Sequence, residues 1–205
     1  RYILNQLKIH NPNVIYILSC SSLPTFYQNA LHSDTNIHLP INQINLNPLK
    51  KEDVDNYIVS RLKTQNIDIS SSALDTIYKY TDGFPFYIQK LGSILFLESL
   101  FTKNTTIDFN DVEIAFTSML NELDCEFEEK YSTNFSKQQQ EILKFLSLNR
   151  VHRLSEIAAE MQTSASSLTT SMKTLNSTMT IYKTKKGCYG ITDNVFRLWI
   201  KKDIL

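Results

Sequence analysis

Apolar and polar positions fall into three successive patterns along the 205 residues. Near the start, Val14-Ile15-Tyr16-Ile17-Leu18 is an unbroken apolar run. Such a run predicts a strand buried on both faces, as in the middle of a parallel sheet. Residues 1–9 read as the end of a helix stopped by Asn11-Pro12-Asn13, and Ile37-His38-Leu39 as a second short extended piece. From about Lys50 the period becomes helical. Val54, Tyr57, Ile58 and Leu62 share one face of a helix ending near Lys63. Ser70 to Ser72 offer caps for a second helix, with Leu74, Ile77 and Tyr78 inward and its end at Asp82-Gly83. The stretch from Pro85 to about Phe101 is apolar nearly all round, which predicts a central helix. Asp108 caps a fourth helix, whose stripe is Val112, Phe116, Met119, Leu123 and Phe127.

The last seventy residues follow a different order. One helix carries Ile142, Leu143 and Leu146, and a second, Leu154 to Met161, carries Ile157 and Ala158. After a turn at Gln162 to Ser164, a third turns Leu168, Met172 and Leu175 inward. Two short strands, 180–183 and 188–192, are joined by Thr184-Lys185-Lys186-Gly187. Three helices followed by a basic hairpin is the order of a winged helix–turn–helix. The chain therefore reads as mainly α (α+β) in three parts. These are a remnant of an α/β sheet at 1–45, a four-helix unit at 46–131 and a winged helix at 132–205.

Charge separates these parts. Lys and Arg total 21 and Asp and Glu 21, for a formal net charge of zero. Residues 136–205, however, hold eleven basic side chains against five acidic, leaving ten against sixteen in 1–135. An acidic front and a basic back imply different partners. Three scattered cysteines argue against a disulfide framework or zinc cluster, and for a reducing, cytoplasmic setting. The longest apolar stretch is interrupted by Gln89, Lys90 and Glu98, so it reads as a core helix and no membrane span is expected. The four histidines lack metal-ligand spacing.

Two stretches carry candidate chemistry. In Thr81-Asp82-Gly83-Phe84-Pro85, Gly83 can take positive φ and Pro85 suits the first helical position. The helix that follows presents unpaired N–H groups and its positive dipole end at a tight turn, which suits an anion such as phosphate. The second stretch is the basic end. Ser166, Thr170 and Lys173 lie opposite the apolar stripe of the third C-terminal helix, while Lys183, Lys185 and Lys186 mark the hairpin. Short polar groups with cations suit a groove or a phosphate backbone, so duplex DNA is the expected partner of this face. A protein-docking unit is the alternative.

Taken together, Val14 to Ser22, Leu46 to Asp53, the Gly83-Phe84-Pro85 turn, Tyr189 to Asp193 and Phe196-Arg197-Leu198-Trp199 resemble one family. It is the archaeal and bacterial ATPases of the signal-transduction (STAND-type) branch of the AAA+ P-loop enzymes. The resemblance implies that the α/β remnant at 1–45 is the tail of a nucleotide-binding domain and the four-helix unit at 46–131 its lid, followed by a winged helix, with ATP and magnesium bound by the intact parent. It implies nucleotide contacts for Gly83 and Pro85, and a phosphate-sensing role for Ser21 at the end of the early strand. Two departures stand out: Cys20 occupies the family's glycine position, and Phe86 stands where many other lids carry an arginine.

No G-x-x-x-x-G-K-[ST] loop and no strand-end acidic pair for magnesium occur in the 205 residues. This chain alone is therefore expected neither to hydrolyse ATP nor to bind a cofactor. Because it opens on Arg1, it reads as a piece of something longer, with residues 1–45 poorly packed. A free-standing winged-helix module that binds DNA or docks a protein, without nucleotide, is the competing reading. A homo-oligomer is a further expectation about partners.

Overall fold

The helical period beginning near Lys50 gives five helices before the basic end is reached. Helix α1 (Lys51–Lys63) carries Glu52 and Asp53 in its first turn and Arg61 and Lys63 in its last, complementing the helix dipole. Its Val54, Ile58 and Leu62 are buried. Lys51 bridges Asp55 at 2.6 Å and Asp75 at 2.9 Å, tying α1 to α2 (Ser71–Thr81). The Ser70 hydroxyl caps α2 by accepting from the Ala73 N–H at 3.2 Å. Helix α3 (Pro85–Thr102) follows, then α4 (Phe109–Glu122), where Asp108 and Asp111 form a reciprocal capping box. Strands β1 (Asp68–Ile69) and β2 (Thr106–Ile107) pair in parallel and tie the α1–α2 connection to the α3–α4 connection. The computed structural model describes Ile17, Ser19 and residues 44–202.

Of the strand expected at 14–18, Ile17 is 91% exposed and the remainder lies outside the described residues. So do the helix end at 1–9, Ser21 and the extended piece at 37–39.

Two expectations for the helical layer need correction. The stripe from Val112 to Phe127 predicts one helix, but the chain breaks at Leu123 (φ −89°, ψ −4°) and restarts as α5 (Asp124–Asn134). All five stripe residues stay buried, because the break redirects the stripe from α2 and α3 towards the C-terminal helix. Helix α3 buries Tyr87, Ile88, Leu91 and Leu95 but leaves Phe86, Leu97, Leu100 and Phe101 exposed. It is central on one face only.

The C-terminal part comprises α6 (Lys137–Leu148), β3 (His152–Arg153), α7 (Leu154–Glu160), α8 (Thr169–Ser177), β4 (Ile181–Lys183), β5 (Cys188–Ile191) and α9 (Asn194–Lys202). Ser136 and Gln139 box the start of α6. The antiparallel sheet has order β3-β5-β4, with Ile181 opposite Ile191 and His152 opposite Tyr189. Ile142, Leu143, Leu146, Ile157, Leu168, Met172 and Leu175 all point into the core, as the pattern predicts. Strand β3, the β1–β2 pair and α9 have no counterpart in the sequence reading. They are too short, or too dependent on a distant partner, to show as a period.

Helix α5 runs through residues 131 and 132, where the sequence divides lid from winged helix. Its Phe127 meets Phe196 and Trp199 with ring centroids 5.2 and 5.7 Å apart, and buried side chains form one cluster from Val54 to Ile200. The architecture is mainly helical, with two small sheets among the described residues.

Candidate functional site

The turn between α2 and α3 is built by its backbone. Asp82 closes α2 in the left-handed region (φ 45°), its N–H bonding the Tyr78 carbonyl. Gly83 follows at φ 79°, and the Phe84 N–H bonds the Thr81 carbonyl at 2.9 Å. Gly83 is buried, and its carbonyl accepts the Leu49 N–H at 2.8 Å. A Cβ there would lie 2.1 Å from the Leu49 carbonyl oxygen, so both φ and space demand glycine. Pro85 then opens α3, exposed, with Phe84 in the capping position and no side chain capping the first N–H groups. Those donors lie at the positive end of an 18-residue helix, which is where an anion is stabilised. Gly83 thus acts through backbone packing, while Pro85 stands at the surface.

This turn is gripped from the C-terminal side. The Arg150 guanidinium forks onto Asp82, Nη1 to Oδ2 at 2.7 Å and Nη2 to Oδ1 at 3.0 Å. The pair holds the Arg150 pKa above its usual value, the hydrogen bond to Asp82 outweighing burial. Tyr87, on the first turn of α3, donates to Asp193 Oδ2 at 2.5 Å. Burial and that carboxylate push the phenol's pKa well up. Asp193 Oδ1 in turn accepts the Phe196 N–H at 3.0 Å, which starts α9. Asn194 donates to the Lys79 and Tyr80 carbonyls at 3.0 and 2.9 Å, satisfying orphan groups at the end of α2. Trp199 Nε1 donates to Asp124 Oδ1 at 2.8 Å.

The basic end is arranged in two groups. Thr170 and Lys173 are exposed on α8, whereas Ser166 lies in the turn before it, hydrogen-bonded to Ser164. Lys183 sits on β4 with its ammonium 5.5 Å from the Tyr189 ring centroid, and Lys185 and Lys186 are exposed at the hairpin tip. Gly187, with φ 76°, closes that tip in open space.

The sequence reading missed Asp82, Tyr87, Arg150, Asp193, Asn194 and Arg197 as a connected set. Asp193-Asn194 before Val195-Phe196 is a legible helix start. Its partners, 106 to 115 residues away, carry no such signal. Among the described residues, no group of three or more His, Cys, Asp or Glu is placed to hold a metal ion. No described helix is long and apolar enough to cross a membrane.

No protein-family model matches the sequence, and no curated protein does. The fold is similar to that of the Walker-type ATPase PabY2304 of Pyrococcus abyssi, with TM-score 0.59 and 16% identity over 75% of this chain and 42% of that one. A weaker likeness is to RuvB, the Holliday junction branch migration motor of Thermotoga maritima, with TM-score 0.37 and 18% identity over 75% of this chain and 49% of that one. The chain spans less than half the length of either structure. At this identity the first likeness concerns fold alone: about three quarters of the chain is arranged like part of that Walker-type ATPase.

Proposed function

We propose that this chain is the lid and winged-helix part of a STAND-type AAA+ ATPase, coupling nucleotide state to DNA binding. The observation that carries this reading is the double attachment of the 82–85 turn. On one side it accepts the Leu49 N–H, and on the other Asp82 and Tyr87 bind Arg150 and Asp193. A nucleotide phosphate at the start of α3 would touch this turn, and ATP and magnesium would be held mainly by other residues of the intact protein. Gly83 and Pro85 shape the turn, and Ser21 would sense phosphate as the family resemblance implies. Because the turn, α5 and α9 share one core, the lid carries the basic end with it as it moves.

In this reading β4 and β5 form the wing and α8 the recognition helix. Lys173, Lys183, Lys185 and Lys186 neutralise phosphates, while Ser166 and Thr170 face the groove. Salt titration of duplex DNA binding tests it. Five phosphate contacts, these four and one terminal lysine, give a slope of log K against log salt of about −4 to −5. Replacing Lys185 and Lys186 by alanine lowers that slope by about 2, with similar losses on all sequences. Absence of duplex binding at low salt, or a double variant that binds like the parent, turns the reading to a protein-docking unit.

A further inference from the structure

Behind the Asp82–Arg150 pair is a cleft of about 270 Å³ lined by Lys79 and Tyr80 from α2, Asn149 and Arg150 after α6, and Asn194 and Arg197 on α9. Three cations line it and no carboxylate does. Asp82 balances Arg150, but among the described residues neither Lys79 nor Arg197 pairs with an acid. Arg197 is half-buried and spends two donors on neutral acceptors: Nε on Asn194 Oδ1 at 2.9 Å and Nη1 on the Ser147 carbonyl at 2.9 Å. A guanidinium has five N–H donors, so most of its hydrogen-bonding capacity is unspent. Burial first and the neighbouring Arg150 second lower the Arg197 pKa, which Asp82 offsets only in part.

We propose that this cleft is an anion site that takes a single phosphate group. The fixed fork of Arg197 matches phosphate oxygens, and Lys79 adds a mobile point charge at the rim. At about 270 Å³ the cleft has room for a phosphate group. The site does not rest on the nucleotide reading above, because it uses none of the peptide groups of residues 83–85. Its phosphate can be free or belong to a nucleic-acid backbone.

The test is titration of inorganic phosphate into the 205-residue chain against chloride at equal ionic strength, following the Arg197 Nε–H resonance by NMR. The expected result is a saturable shift of that resonance under phosphate alone. R197Q should weaken binding about tenfold or more, and K79Q, at an exposed position, roughly two- to fivefold. A short DNA duplex distinguishes the sources. If phosphate displaces the duplex, the backbone is the ligand. If the K185A/K186A variant loses the duplex but keeps the phosphate shift, the ligand is the free anion. An Arg197 resonance that phosphate does not move, or a folded R197Q that binds phosphate like the parent, overturns the proposal. Should R197Q fail to fold, R197K combined with K79Q carries the test, and undiminished binding there refutes it equally.

Discussion

Gly83→Ala is the sharpest probe of the turn, because two separable costs meet at one position. The backbone holds φ at 79°, where an L side chain costs about 1–2 kcal/mol. The new methyl group would also sit 2.1 Å from the Leu49 carbonyl oxygen, a backbone atom that no rotamer change can move. Relief requires the segment around Leu49 to let go, which breaks its 2.8 Å hydrogen bond to Gly83 and costs about 1 kcal/mol more. The expected destabilisation is therefore roughly 2–3 kcal/mol. Urea unfolding can be followed by the fluorescence of Trp199, the chain's single tryptophan, which is hydrogen-bonded to Asp124 across the junction. Hydrogen exchange should show the Leu49 amide losing protection while the middle of α3 keeps its own. Asp82→Asn is the control: asparagine tolerates the left-handed conformation at 82 and removes only the charge of a partly exposed pair, costing at most about 1 kcal/mol. If Gly83→Ala costs less than about 0.5 kcal/mol, within the range of ordinary surface substitutions, and Leu49 stays protected, the turn is not constrained as described.

Tyr87→Phe removes the hydroxyl that reaches Asp193 and leaves that carboxylate short of a partner, so urea unfolding should register a loss of about 1–3 kcal/mol. Equal stability would show that Asp193 is satisfied without Tyr87. Glu98 has its pKa raised, by burial first and by Asp111 second. A raised carboxyl pKa means the folded state favours the proton, so stability is fully present below the ordinary glutamate value and lost as pH rises through the folded one. Glu98→Gln should therefore melt above the parent at pH 7, and the difference should shrink towards zero below about pH 4. A difference that does not depend on pH would remove the titration of Glu98 as its cause.

Periodicity and caps belong to a few consecutive residues, and these the chain states openly. The Ser70 and Asp108 caps, the inward faces of α6 and α8, that of α1 apart from the exposed Tyr57, and the lysine-tipped hairpin all follow from local spacing. Gly83-Phe84-Pro85 likewise announces a turn before a helix, because proline and glycine restrict the backbone wherever they occur. The break at Leu123 is different. Its stripe continues unbroken through Phe127, and only Phe196 and Trp199, folding back against α5, give the second half a separate place to pack. The exposed side of α3 has the same origin: its composition is apolar all round, but which face meets α2 and α4 is decided by where those helices lie. Most of all, tertiary structure decides the junction. Arg150 finds Asp82 across 68 residues, Asn194 finds the end of α2 across 114 and 115, and Arg197 is left facing a cleft without a carboxylate. Pairing at such distances depends on chain closure through the whole core, and no local pattern encodes it.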